Sequence, residues 1–315
     1  MSLVGKITAL ANIIRDKTDI DGEISLDAMP AAVSQVHGSE IPFIEGTLTS
    51  YTDLTSTKFK GYAFYSCTSL ERVILPKATL VGRYGLWGCS SLTEVDVSSA
   101  RTIYWAAFQN CKKLKSIDLP LCTHIETYGF DDCESLEWAN LPLVQKIEGY
   151  GFYGCKSLKT LDLPSLTSVG GDAFALCTSL TTVSLAKQGG LSENMFNYCS
   201  ALTTVDIPSA VSMKANAFRG CTSLARLDLP KITTLAAATC FTGCTSLETL
   251  IFRDESTVVD IKSTTALQDT KIAQGTGYVY VPSSLYDSYL AHDNWVNYSA
   301  QLRKIEDYPD ICNPA

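Results

Sequence analysis

Cysteine is the most reactive side chain this sequence repeats. Cys67, Cys89, Cys111, Cys133, Cys155, Cys177, Cys199 and Cys221 recur every 22 residues, and Cys244 follows after 23. So many thiols invite a metal or redox reading. Structural zinc, however, wants paired ligands such as C-x2-C closing a tetrahedron, whereas this spacing supplies thiols along one line. Coils stacked about 5 Å apart would permit a disulfide, but nine cysteines in one regular column cannot all pair. The plainer reading is a file of small, buried, free thiols. Cys122, Cys240 and Cys312 fall outside the column, and Cys240-x-x-x-Cys244 reads as an insertion in the ninth coil.

A second row is acidic. In the same register lie Asp96, Asp118, Asp162, Asp206 and Asp228, interrupted by Asn140 and Ser184 and flanked by Ile74 and Ile251. Neighbouring carboxylates about 5 Å apart repel by on the order of 1 kcal/mol in water, and a bound cation or a basic partner would relieve that. A solvated consensus position, compensated by Lys115 and Lys159, is the simpler account.

The third feature is aromatic and confined to the early coils. Tyr62, Tyr84, Tyr128 and Tyr150 share the column five residues before the cysteine. Tyr65, Trp87 and Tyr153 share the column two before it, with Tyr104 and Trp105 close by. Later coils carry Asp172, Asn194, Asn216 and Thr239, or Ala175, Asn197, Arg219 and Thr242, in these columns. Tyr and Trp bring much contact area at little entropic cost, so exposed rings here would make a recognition surface. Equally, the rings would pack laterally between coils or against N-terminal helices. Both readings stand at this point.

Catalytic constellations are missing. None of the phosphate-loop, zinc-protease, nucleophile-elbow or dinucleotide fingerprints occurs. The only histidines, His37, His124 and His292, have no matching nucleophile in register. The sequence therefore predicts no enzyme, no metal and no cofactor.

What positions these rows is the repeat itself. Aligned on cysteine, an aromatic or aliphatic residue sits three before (Phe64, Leu86, Phe108 and onward to Phe241) and a leucine three after (Leu70 to Leu247). Further apolar columns run Val73 to Leu250, Leu75 to Phe252 and Val81 to Leu235. The Leu-x-x-Val-x-Leu core alternates inward and outward at its end as a short strand does. Pro76, Pro120, Pro142, Pro164, Pro208 and Pro230 then remove a ladder donor and stop it. The segment around Phe and Cys has no β-branched run and is expected to make a short helical turn. A fixed period in the twenties means a solenoid, whose coils cannot offset their ordering entropy singly and fold by stacking.

The unit x-x-aF-x-x-C-x-S-L-x-x-V-D-L-P closely resembles the BspA-type leucine-rich repeats of bacterial surface proteins, over about residues 60–252. The resemblance implies a bacterial surface protein in adhesion or host interaction. The expected fold is an α/β leucine-rich-repeat solenoid of 22-residue coils, with a short helical N-terminal segment and an α+β C-terminal cap. Residues 1–40 read as helical, with apolar spacing from Ile7 to Ile14 and a capped segment from Ser25 through Val36. Residues 41–252 form the solenoid, with a degenerate first coil over 41–66 that places Leu48, Tyr51 and Phe59 near the columns. Residues 253–315 form the cap, with a strand at Gly277–Pro282, a helix holding Leu285, Tyr289 and Leu290, and another from Asp293-Asn294 to Leu302. Both flanks are similar to segments beside such repeats in gut-bacterial proteins and prophage tail regions.

Charge and hydropathy narrow the partners. A net charge of −8 with scattered Lys and Arg argues against nucleic acid, whose binding needs clustered cations. No apolar stretch approaches the roughly 18 residues of a membrane span. The opening residues, broken by Lys6, Arg15, Asp16 and Lys17, do not read as a secretory signal. Localisation is therefore not written in the residues, and only the family likeness implies an extracellular or surface-associated protein. The sequence predicts a non-catalytic protein that binds a protein or glycan through its solenoid surface. The alternative is a structural component of a surface or phage-tail-like assembly.

Overall fold

The computed structural model describes residues 48–236 and 239–312. The helices expected within residues 1–40 lie outside the described residues. The chain divides between Val144 and Gln145 into two compact units.

In the first unit the Leu-x-x-Val-x-Leu cores become three-residue parallel strands. Ser50–Thr52, Arg72–Ile74 and Glu94–Asp96 pair in register through Tyr51, Val73 and Val95. Ser116–Asp118 pairs with Trp138–Asn140 in the same manner. A second parallel ladder of two-residue strands, Leu80–Val81, Thr102–Ile103 and His124–Ile125, runs through Val81, Ile103 and Ile125. The degenerate first coil joins both ladders: Tyr51 faces Val73, and Phe59 bridges to Val81 and is buried.

The second unit repeats the scheme. Thr160–Asp162, Thr182–Ser184 and Thr204–Asp206 form one sheet. Arg226–Leu229, Thr249–Phe252, Tyr278–Val281 and Leu302–Lys304 form another. The last two strands come from the segment expected to cap the solenoid. Between them lie the α-helix Tyr286–Leu290 and a 3-10 segment Trp295–Gln301. Tyr289 and Trp295 are fully buried and pack on Phe252. The Trp295 indole N–H donates to Val259 O at 2.7 Å, and the Val259 N–H donates to Tyr289 Oη at 3.0 Å. The last turn, Pro309–Cys312, lies over Ile251 and Tyr280, and its carbonyls accept from Arg226 and Arg253.

One expectation changes in form. The segment around Phe and Cys is a tight turn, not a helix. Its first and fifth residues are left-handed, as at Tyr62 and Ser66 (φ 59° and 58°) or Asp172 and Leu176 (φ 56° and 60°). These flips aim alternate N–H groups along the stack. Tyr62 N, Phe64 N and Ser66 N donate to Arg83 O, Gly85 O and Trp87 O of the next coil at 2.9, 2.8 and 2.6 Å. A helix would have spent those donors on its own carbonyls. The turn thus becomes a further inter-coil ladder, which the apolar pattern alone does not disclose.

Candidate recognition surfaces

The cysteines sit inside. All twelve are buried and free, and most members of the column donate to a backbone carbonyl of the preceding coil. Cys89 Sγ donates to Phe64 O at 3.1 Å, Cys111 Sγ to Leu86 O at 3.2 Å, and Cys133 Sγ to Phe108 O at 3.1 Å. In the second unit Cys177, Cys199 and Cys221 donate to Phe152 O, Phe174 O and Phe196 O at 3.1–3.2 Å. A weak S–H donor therefore gives a buried carbonyl one coil back a second hydrogen bond, beside the one it accepts from the cysteine N–H of its own turn, which no aliphatic side chain of that size does. Desolvation pushes the Cys67 thiol up to about 11 and Cys177 and Cys244 to about 12. Thiols so held are poor nucleophiles and poor metal ligands at neutral pH. Among the described residues no three His, Cys, Asp or Glu are arranged to hold a metal ion.

The acidic row is discontinuous. Asn140 Nδ2 donates to Asp118 Oδ1 at 2.8 Å. Ser184 stands in register between Asp162 and Asp206. Asp228 is engaged by Arg253 through Nε at 2.9 Å and Nη2 at 2.6 Å. Asp118, Asp162 and Asp206 are exposed, and Asp96 and Asp228 are half-buried.

Six of the nine predicted aromatic residues form one connected set in the first unit. Tyr65 and Trp87 stack at 4.6 Å and 9°, and Tyr62 and Tyr84 at 4.8 Å and 29°. Tyr65 meets Tyr84 edge-on at 6.0 Å, Trp105 meets Tyr84 at 4.7 Å, and Tyr128 meets Trp105 at 5.5 Å. The Arg83 guanidinium lies 5.9 Å from the Trp105 ring centroid. Each of the six rings is half-buried, so lateral packing between coils and partial exposure hold together. Tyr104 is exposed and joins no ring pair among the described residues. Tyr150 and Tyr153 belong to the second unit and contact each other at 5.5 Å.

The backbone beneath this set is unusual. Tyr62, Tyr84, Tyr128 and Tyr150 are all left-handed, with φ between 55° and 61°. Asp172, Asn194 and Asn216 fill the same turn position with φ of 55–57°, and Asp and Asn tolerate it best among non-glycine residues. A bulky aromatic residue there is strained by about 1 kcal/mol.

Two features escaped the sequence reading. One is a polar relay: Trp87 Nε1 donates to Gln109 Oε1 at 2.8 Å, and Gln109 Nε2 donates to Asp131 Oδ2 at 2.6 Å. Asp131 is only 7% exposed, and desolvation pushes its carboxyl up to about 6 against the Gln109 hydrogen bond. Gln109 and Asp131 occupy the Tyr65–Trp87 column, so the register itself was the available signal. The other is Trp138, 48% exposed on the strand face. Its signal was a lone indole in a column of Arg72, Glu94, Ser116, Thr160, Thr182 and Thr204.

Comparison with known proteins agrees with the repeat. A family model described as BspA type leucine rich repeat region matches in 6 copies, over residues 47–142, 123–248 and 189–275. No curated protein matches the chain. Among solved structures, a leucine rich cell surface protein of Faecalibacterium prausnitzii aligns at 24% identity and TM-score 0.47, covering 82% of this chain and 78% of that one. The leucine rich repeat protein of T. pallidum aligns at 23% identity and TM-score 0.41, covering 56% of this chain and 78% of that one. The pneumococcal vaccine antigen PcpA aligns at 15% identity and TM-score 0.40, covering 81% and 77%. No helix among the described residues is long and apolar enough to cross a membrane.

Proposed function

The chain belongs to the BspA-type leucine-rich repeat family, and on that premise we propose that it is a non-catalytic binding or adhesion protein of a bacterial surface. Its contact surface is the aromatic flank of the first unit, and its partner a protein or glycan. The observation that carries this reading is the connected set Tyr62, Tyr65, Tyr84, Trp87, Trp105 and Tyr128. These rings are half-exposed, and Tyr62, Tyr84 and Tyr128 stand on left-handed backbone. Folding alone favours Asn or Asp at such turns, as the later coils have. Tyrosine there costs backbone strain, and strain kept at a surface points to use.

A division into residues 1–40, 41–252 and 253–315 fits this role, with the solenoid making contact and the flanks closing or anchoring it. A glycan-array and pull-down screen of the whole chain tests the reading. Binding lost in Trp87→Ala and Trp105→Ala, with the fold intact by circular dichroism, supports it. Binding that survives both changes and instead requires residues 1–40 favours an assembly role.

A further inference from the structure

We propose that the strand face of the first unit, centred on Trp138 and Asp118, docks an arginine side chain carried by an extended basic segment of a partner protein. This site is separate from the aromatic flank. Ser116 pairs with Trp138 and Asp118 with Asn140 across adjacent parallel strands. Trp138, Asn140, Ser116 and Asp118 therefore share one face of the sheet, since residues two apart point the same way. Strand spacing and rise place Asp118 diagonally from Trp138, about 8 Å between Cα atoms.

The fold covers only about half of the indole. It is 48% exposed at a position that other coils fill with Ser, Thr, Arg or Glu, and it joins no ring pair among the described residues. Beside it, Asn140 Nδ2 holds one oxygen of the exposed Asp118 carboxylate, Oδ1, at 2.8 Å. The second oxygen has no protein partner among the described residues. One coil back in the same column, Asp96 accepts the Ser98 N–H at 3.1 Å and no other hydrogen bond among the described residues. Neither carboxylate has an ion-pair partner among the described residues, whereas Arg72 and Glu94 on the same face neutralise each other at 2.9 Å. What remains is one carboxylate, Asp118, without an ion pair among the described residues and diagonal to an open indole, with a second, Asp96, one strand further along the same face.

That combination selects a cation with a flat face. A guanidinium stacks on an indole and at the same time donates paired hydrogen bonds to a carboxylate. A lysine ammonium would meet the charge but not the plane. A neutral sugar would meet the ring but leave the charge of Asp118 and Asp96 unanswered.

The test is a titration of the whole chain with the peptide acetyl-Gly-Arg-Gly-Arg-Gly-amide, following the Trp138 indole N–H signal by NMR. That signal is assigned by its loss in Trp138→Phe. Its citrulline counterpart, isosteric and uncharged, and a set of neutral oligosaccharides are run beside it. The arginine peptide is expected to shift the Trp138 signal, to weaken with salt, and to lose about tenfold in affinity in Trp138→Ala or Asp118→Asn. Trp87→Ala should leave its binding unchanged, which keeps failure here distinct from failure of the aromatic flank. The proposal is overturned if the citrulline peptide shifts the signal equally or if an oligosaccharide alone does so. It is likewise overturned if Trp138→Ala dissociates a dimer of the free protein, because a second copy would then be the occupant.

Discussion

The Trp87 indole lies parallel to the Tyr65 ring at 4.6 Å while its N–H donates across to Gln109 at 2.8 Å, so one side chain ties three successive coils together. Stacking and hydrogen bonding can be separated here. Trp87→Phe keeps a ring over Tyr65 but leaves Gln109 Oε1 without its donor. A cost of about 1 kcal/mol is expected, read as a lower urea midpoint at constant slope. Gln109→Leu in the same background should then add less than it does alone, because the two act through one relay.

Asp131 makes that relay pH-dependent. Its carboxyl is raised from 3.8 to about 6, with burial the principal cause. The folded chain therefore binds a proton more readily than the unfolded one. Stability contributed by this site is greatest at low pH, declines as pH rises through the interval between those two values, and stays low above it. Asp131→Asn removes the ionisation while keeping an acceptor for Gln109. It should be about 1–2 kcal/mol more stable than the parent at pH 7 and nearly equal to it at pH 4. Equal midpoints at both pH values would show that Asp131 is solvated in solution.

Much of this architecture is legible in the residues, and the reason is the repeat. A column such as Phe152, Phe174, Phe196 and Phe218 must face inward in every coil, and the rings do stack at 5.5–6.0 Å. The cap strand was equally visible, because Tyr278-Val279-Tyr280-Val281 alternates in a two-residue period. What periodicity does not encode is backbone handedness. Nothing in Tyr84 announces φ of 55°, so the apolar pattern alone predicts a short helical turn where the structure has a left-handed one. Nor does a columnwise reading weigh an exception: Trp138 is one residue in a polar column, and its meaning depends on Asp118 beside it. The aromatic columns are visible in the register, but whether their rings pack or project depends on side-chain geometry, and the six connected rings are packed on one another while half-buried.

The thiol column offers a direct test of why cysteine is chosen. If Cys199 were only a small hydrophobe, Cys199→Ala would be tolerated better than Cys199→Ser, since a buried hydroxyl is costlier to desolvate. If its bond to Phe174 O at 3.1 Å matters, serine can donate to that carbonyl and alanine cannot. Serine is expected to be the less damaging change, by about 0.5–1 kcal/mol. In the native chain the twelve buried thiols should react with a disulfide reagent only as fast as the protein unfolds, and all twelve should react in denaturant. Rapid labelling of Cys177 or Cys199 without denaturant would contradict the buried column.

The residue before each cysteine tests the turn. Gly88, Gly154 and Gly220 hold it with φ of 70°, 67° and 73°, but Leu176 holds it with φ of 60°. A branched side chain is disfavoured in that region, whereas glycine enters it freely. Because the Leu176 N–H also donates to Asn197 O at 2.8 Å, the coil cannot relax to a right-handed form without losing an inter-coil bond. Leu176→Gly is therefore expected to raise stability by about 0.5–1 kcal/mol, net of the extra freedom glycine gives the unfolded chain. Gly154→Ala should lower it by about 1 kcal/mol, through conformation and not contact. Thermal midpoints moving in opposite directions would establish the left-handed turn as the element that sets the spacing of the stack. A loss of stability in both would mean that the Leu176 side chain outweighs its strained backbone.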